Sequence, residues 1–213
     1  MTTGGIEAVI FDFGGVIADG PFETFQEYER VNGLPHGFIR SLNTTNPHDN
    51  AWARLERSEI GFDEFCDTFE KEAREAGGVV DSRTLFAMLS GSLRPEMVEA
   101  VRRCAKRFKT ALLTNNFVLG DDPGPMHSSE FADLREVFDV VIESSVVGVR
   151  KPDPRIYSLV CDALGTEARH VVFLDDLGVN LKPARALGMV TIKVENVSRA
   201  LSELETVLGL ALR

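Results

Sequence analysis

Residues 8–16 read AVIFDFGGV. Four apolar residues of strand type, Ala8 to Phe11, run straight into Asp12, and Gly14 and Gly15 follow almost at once. A carboxylate at the carboxyl end of a buried strand lies in the crevice where open α/β sheets bind ligands. Glycines just after it let the backbone turn tightly and approach a ligand with no Cβ in the way. A single such end also fits an ordinary strand-to-loop aspartate. Three later segments end in the same manner, and together they decide the reading.

The strand candidates are residues 6–11, 110–114, 140–143, 171–174 and 190–194. Each is a short apolar run without strict alternation, as expected for strands covered on both faces of a parallel sheet. Helical spacing fills most of the intervals. Met97, Val101, Cys104 and Phe108 follow Pro95, and Ile156, Leu159, Val160 and Ala163 follow Pro154 and stop at Gly165. Leu181, Ala184 and Leu187 precede Gly188, and Leu201, Leu204 and Leu208 precede Gly209. Proline near a helix start and glycine just past its end is the asymmetry that helices favour. Alternating strand and helix predicts an α/β core with a parallel sheet.

Residues 20–90 break the alternation. No strand pattern is visible there, only apolar positions at helical spacing: Phe22, Phe25 and Tyr28; then Phe62, Phe65, Cys66, Phe69 and Ala73; then Leu85, Phe86 and Leu89. A helical insertion after the first strand is expected to form a small cap over the carboxyl edge of the sheet, with 1–19 and 91–213 as the core domain. The polar stretch SLNTTNPHDNAW, 41–52, reads as a loop in the middle of the cap.

Composition narrows the function. The 213 residues are 44% hydrophobic and 26% charged, enough for a sizeable core. A net charge of −10 argues against a general nucleic-acid or anionic-membrane surface, which needs a basic face. No stretch approaches the roughly 20 apolar residues of a membrane span. Residues 1–7, MTTGGIE, lack the features of a signal peptide. Cys66, Cys104 and Cys161 show no metal spacing and fall on apolar helix stripes, so they are expected to be reduced packing residues of a cytoplasmic protein. His36, His48, His127 and His170 have no ligand-like spacing either.

Four strand ends then carry the polar chemistry. Asp12 follows the first strand, Thr114 and Asn115 end TALLTNN, Lys151 lies in VGVRKPDP, and Asp175 and Asp176 end VVFLDD. Carboxyl ends of parallel strands converge at one edge. Carboxylates, a hydroxyl with an amide, and an ammonium are the parts of a Mg²⁺-assisted phosphoryl-transfer site: oxygen ligands for a hard cation, donors for phosphoryl oxygens, a cation for developing charge and one carboxylate nucleophile.

This ordered set resembles the haloacid dehalogenase superfamily of hydrolases. Residues 171–194, with TALLTNN, VIES and KPDPRIY, resemble more narrowly the phosphatase-type domain at the N-terminus of soluble epoxide hydrolases and of certain acyl-CoA dehydrogenases. The resemblance implies a Rossmann-like three-layer core with a helical cap, Mg²⁺ dependence, a small phosphorylated substrate and an aspartyl-phosphate intermediate. It implies Asp12 as nucleophile and metal ligand, the Gly14 carbonyl as a second ligand and Asp176 as a third, with Asp175 beside it as a direct or water-mediated helper. Thr114 and Asn115, with Gly14 and Gly15, would bind the phosphoryl group, and Lys151 would pair with Asp12 and the phosphate. Asn180 would either cap the following helix, the reading slightly favoured, or orient the acidic loop.

One departure stands out. Phosphatases of this superfamily usually carry a second aspartate two residues after the nucleophile, as general acid and base. Here that position is Gly14. General acid–base catalysis is typically worth 10²–10⁴-fold, so activated aryl or acyl phosphates are expected to be preferred over alkyl esters. Asp19, His48 and Asp49 are the candidate substitutes, each more simply read as a solvated or capping residue. Trp52, with Arg54 and Leu55, is expected either in the cap core or on a substrate-facing wall. A non-catalytic phosphate- or partner-binding module and a metal-free 2-haloacid dehalogenase are the alternatives, the latter disfavoured because adjacent acids would repel a departing halide.

Overall fold

The computed structural model describes residues 5–89, 91–118 and 129–212. The turn cluster DDPGP at 121–125 and His127 lie outside them. Five parallel strands form one sheet in the order β3-β2-β1-β4-β5. They are β1 (Ala8–Phe11), β2 (Lys109–Thr114), β3 (Val140–Glu143), β4 (Val171–Asp175) and β5 (Val190–Lys193). The fold is the expected α/β class. β4 runs one residue further than its apolar run because Asp175 stays in the ladder, accepting from the Val194 N–H at 3.0 Å.

The alternation of β1 assigns its side chains to two layers. Val9 and Phe11 pack against α6 (Pro95–Ala105), α7 (Ser129–Arg135) and α11 (Val197–Leu208). Ala8 and Ile10 pack against α9 (Pro154–Leu164) and α10 (Gly178–Ala186). A short α8 (Ser144–Val147) follows β3 directly. Burying both faces is why these strands show no polar alternation in sequence. Cys104 and Cys161 pack in these layers and Cys66 in the helical segment, all as buried free thiols. Burial pushes the Cys104 thiol up to about 12. Among the described residues no helix is long and apolar enough to cross a membrane.

Between β1 and α6 lie α1 (Phe22–Val31), α2 (Phe38–Thr44), α3 (Ala51–Glu56), α4 (Phe62–Glu75) and α5 (Ser82–Met88). They enclose a hydrophobic cluster of their own, built on Phe25, Trp52, Phe65, Phe69 and Phe86. The outgoing and returning chains run side by side where this segment joins the sheet. Ala18 bridges both Gly14 and Leu93, the Asp19 N–H donates to Ser92 O at 3.1 Å, and the Arg94 N–H donates to Ile17 O at 2.8 Å.

The expected loop at 41–52 is shorter than its composition suggests. α2 extends through Thr44 and α3 starts at Ala51. Asn50 makes this possible. Its Oδ1 accepts from the Ala53 N–H at 2.8 Å and caps α3, while its Nδ2 donates to Asn43 O and Thr45 O at 3.0 and 2.9 Å. One buried asparagine thus closes the turn from both sides, which residue-by-residue polarity does not reveal.

Candidate active site

The strand order places β2 and β3 on one side of β1, and β4 and β5 on the other. The carboxyl ends of β1 and β4 therefore form the switch point of the sheet, where ligands bind in open α/β folds. Asp12 sits there because its N–H donates to Leu174 O at 3.0 Å, carrying the β1–β4 ladder one residue past the strand. Asp12 Oδ1 accepts from the Phe13 N–H at 2.7 Å, and its Oδ2 lies 2.8 Å from Lys151 Nζ.

Lys151 is the hub. It is 1% exposed, and its ammonium also reaches Asp175 Oδ2 at 2.7 Å. A cation so deep in the protein is tolerable only if paired on every side. Its backbone is clamped as well. Asn115 Oδ1 accepts from the Lys151 N–H at 2.8 Å, and Asn115 Nδ2 donates to Lys151 O at 3.0 Å. Asp175, fully buried, accepts further bonds from the Leu177 N–H at 2.8 Å and from Asn180 Nδ2 at 3.0 and 3.1 Å. The Tyr157 hydroxyl in turn donates to Asn180 O at 2.7 Å.

Asp176 completes the acidic group. Carboxylate oxygens of Asp12, Asp175 and Asp176 lie within 4.8 Å of one another. Gly15, at φ +78°, lets the loop after Asp12 close on this residue, since a Cβ there would stand 2.4 Å from Asp176 Oδ2. Around Gly14 there is open space, with nothing within 4 Å of a Cβ.

Three carboxylates around one ammonium leave the cluster formally short of positive charge. Burial pushes the Asp12 carboxyl well above its ordinary value; Lys151 opposes the rise, and Asp175 and Asp176 add to it. Burial and then Asp175 push Asp176 up to about 6. Burial pulls Lys151 down, yet Asp12 and Asp175 outweigh it and hold the ammonium above its usual value. Such a site fits a hard divalent cation, which takes oxygen ligands and relieves carboxylate repulsion.

The cluster opens into a cavity of about 690 Å³ between the sheet edge and the helical segment. Its sheet side is lined by Asp12, Gly14, Thr114, Lys151 and Asp176, and its helical side by Phe22, Phe25, Trp52 and Leu89, with Phe117 from the loop after β2. A concave pocket that joins apolar side chains to convergent polar groups is the usual form of a small-molecule site.

The profile of the haloacid dehalogenase-like hydrolases matches residues 6–188. The chain belongs to that family. Mouse acyl-CoA dehydrogenase family member 10 is 37% identical over 212 residues, 96% of this chain and 19% of the relative. Pig bifunctional epoxide hydrolase 2 is 35% identical over 219 residues, 97% of this chain and 40% of the relative. The chain thus spans less than half the length of either. Phosphatase MT3486 of Mycobacterium tuberculosis (strain CDC 1551 / Oshkosh) is 29% identical over 198 residues, covering 86% of this chain and 85% of the relative. A HAD family enzyme of Bacteroides thetaiotaomicron, solved with magnesium and inorganic phosphate, shares the fold at a TM-score of 0.64 and 18% identity, covering 89% of this chain and 94% of that one.

Within this haloacid dehalogenase-like frame the residues singled out in the sequence fall into two groups. Asp12, Gly14, Thr114, Asn115, Lys151 and Asp176 line the cavity, whereas Gly15 and Asp175 stand behind its wall. Asn115 lines the cavity while its side chain bonds both ways to the Lys151 backbone. Asn180 does not cap α10: Leu177 holds that position, and the Asn180 amide binds Asp175. Trp52 packs in the helical core against Phe25, Phe65 and Phe86 and also borders the cavity; Arg54 and Leu55 do not line it. Of the candidate substitute acids, Asp19 and His48 border the cavity and Asp49 does not. Asp19 is paired with Arg94 at 3.2 Å.

Arg94 went unnoticed in the sequence. Its Nη1 donates to Gly15 O at 2.6 Å, so it holds the loop that follows Asp12. The only local sign was its place before Pro95, which reads as a helix boundary. Glu56 and Arg150, paired at 2.5 Å on the cavity wall, were missed for the same reason: their partners are far away in sequence.

Proposed function

We propose that this protein is a Mg²⁺-dependent phosphatase of small phosphorylated molecules, working through an aspartyl-phosphate at Asp12. The observation that carries this reading is Lys151 Nζ held 2.8 Å from Asp12 and 2.7 Å from Asp175, with Asp176 beside them, at a cavity mouth on the switch point. Asp12, the Gly14 carbonyl and Asp176 would hold the metal, and Asp175 would act by fixing Lys151. When bound, Mg²⁺ supplies charge neutralisation for the phosphoryl oxygens and the acidic cluster.

The Asp12 side chain, pinned by the Phe13 N–H and the Lys151 ammonium, presents a carboxylate oxygen to phosphorus. An O–P bond forms as the bond to the ester oxygen breaks, and that oxygen leaves with the electron pair. Thr114 and Lys151 stabilise the charge on the transferring group. Water then attacks the phosphorus of the aspartyl-phosphate, releasing inorganic phosphate and restoring the carboxylate. Gly14 can donate no proton to the departing oxygen. The enzyme accordingly prefers aryl and acyl phosphates, whose leaving groups depart as stable anions. The aromatic wall favours substrates with a partly apolar body. Three buried free thiols suit a cytoplasmic setting.

The test is phosphate release from p-nitrophenyl phosphate with and without Mg²⁺, beside Asp12→Asn. Metal-dependent turnover lost in the variant supports the reading. Binding of phosphate without turnover in wild type would overturn it in favour of a binding module, a reading that Gly14 alone recommends.

A further inference from the structure

The carboxylates, lysines and arginines that line the cavity are matched, with one exception. Lys151 sits between Asp12 and Asp175, Arg150 is paired with Glu56, and Asp19 is paired with Arg94. Asp176 belongs to the acidic cluster that fits a divalent cation. Arg40, on α2, lines the same cavity. Among the described residues its guanidinium has no ion-pair or hydrogen-bond partner. The chain holds 33 acidic residues against 23 basic ones, so carboxylate partners are in excess and this arginine is still left without one.

What Arg40 does touch is an aromatic face. Its guanidinium carbon stands over the Phe22 ring, 5.1 Å from the centroid, and Phe22 also lines the cavity. Stacking occupies one face of the guanidinium. It leaves free the N–H groups around the edge, which take a carboxylate or phosphate through two parallel bonds. Arg40 is exposed, whereas the Arg150 guanidinium is closed off against Glu56. The Phe22 ring also ties Arg40 to the reaction centre. A Cβ on Gly20 would stand 3.4 Å from Gly15 Cα and 3.9 Å from the Phe22 ring. The ring therefore lies beside the loop that follows Asp12, and the guanidinium lies on the ring.

The cavity thus carries an open cation on its helical side, a small molecule's length from the acidic cluster. With Glu56 neutralised by Arg150 and Asp19 by Arg94, no carboxylate on that side competes for Arg40. A cationic group on the substrate would be repelled there, and a neutral one would leave the guanidinium unmatched. We propose that Arg40 is a specificity residue for a second anionic group, a carboxylate or a further phosphoryl group, borne by the substrate at the end away from the transferred phosphate. The inference rests on the phosphate-ester reading of this cavity and names the class of ester it takes: one charged at both ends, with an apolar body between that lies along the aromatic wall. Opposite charge at the right place selects for such a partner and against its neutral isostere.

The experiment is calorimetry of the full chain with Mg²⁺, using phosphonates that cannot turn over as esters: 4-carboxybenzylphosphonate, its neutral isostere 4-carbamoylbenzylphosphonate, and 1,4-xylylenebisphosphonate. At low salt the carboxylate or the bisphosphonate is expected to bind about fivefold more tightly than the amide, as one solvent-exposed ion pair allows, and the tighter of the two identifies the anion. The preference should shrink as salt is raised. Arg40→Gln is expected to reduce it to below about twofold, and Arg40→Lys to keep part of it, since the charge remains without the fork. Arg40 is exposed, so neither change opens a core. Equal affinity for all the phosphonates in wild type would overturn the proposal and leave the phosphatase reading as it stands. A preference undiminished in Arg40→Gln would overturn the assignment to this residue. A preference for the second anion with no phosphate release from any ester would sink the phosphatase reading and leave the subsite standing.

Discussion

The two walls of the cavity are built differently. On the sheet side, the side chains of Asp12, Asn115, Lys151, Asp175 and Asn180 interlock through bonds of 2.7 to 3.1 Å. The opposite wall is a short-helix assembly packed by aromatic edges. Parallel strands bring distant residues to one edge at fixed spacing, which suits a reaction that tolerates little displacement. The difference teaches that one cavity is bounded by separately packed cores, the sheet side joined by polar bonds at its edge and the helical side by aromatic contacts.

The strongest way to break this comparison is to strike the sheet side. Asp12→Asn keeps the shape and removes the proposed nucleophile, and phosphate release is expected to fall by at least about 10⁴-fold. Activity retained within tenfold in a stopped-point phosphate assay would remove Asp12 from the reaction.

Striking the helical side should instead show in stability. Trp52→Ala opens a hole where Phe25, Phe65, Phe69, Phe86 and Phe117 meet, and urea unfolding is expected to show a loss of about 3–5 kcal/mol. A loss below about 1 kcal/mol would mean the helical core is not held by this residue.

The two glycines sharpen the contrast within the sheet side. Gly14→Asp enters open space, and it is expected to raise turnover of alkyl phosphates about 10²-fold by supplying the missing acid. Gly15→Ala meets Asp176 and a left-handed backbone, and it should cost about 1–3 kcal/mol and weaken Mg²⁺ activation. Equal behaviour of Gly14→Ala and Gly15→Ala in a Mg²⁺ titration would show that the close approach to Asp176 does not matter.

The smallest effect is electrostatic. Asp12 and Asp176 bind protons more tightly when folded than at the ordinary 3.8, Asp176 up to about 6. Between those values the folded state holds more protons, so stability falls as pH rises. Mg²⁺ should offset that loss: it is expected to raise Tm by a few degrees near pH 7.5 and by less near pH 5, where protons compete for the same oxygens. An equal shift at both, read by thermal denaturation, would place the metal elsewhere.

The sequence and the structure agree where the information is local or periodic. The five strands, the parallel sheet and the convergence of Asp12, Thr114, Lys151 and Asp176 could be read because buried parallel strands are continuous apolar runs and their ends mark the edge. Agreement fails where a partner is remote. Nothing near Asn115 says that it will clamp Lys151, 36 residues on, or near Arg94 that it will hold Gly15, 79 residues away. The loop at 41–52 misled because Asn50 hides its polarity by bonding both flanks.

By itself, then, the sequence determined the α/β class, the family and the set of groups at the carboxyl edge, because periodicity and strand ends are written in consecutive residues. Only the tertiary structure decided how those groups are divided. It put Asp176 on the cavity and Asp175 behind Lys151, turned Asn180 from a cap into a support for Asp175, and joined Glu56 to Arg150 across the cavity wall. Hydrogen bonds and ion pairs depend on distance and direction in space, and no spacing along the chain encodes either.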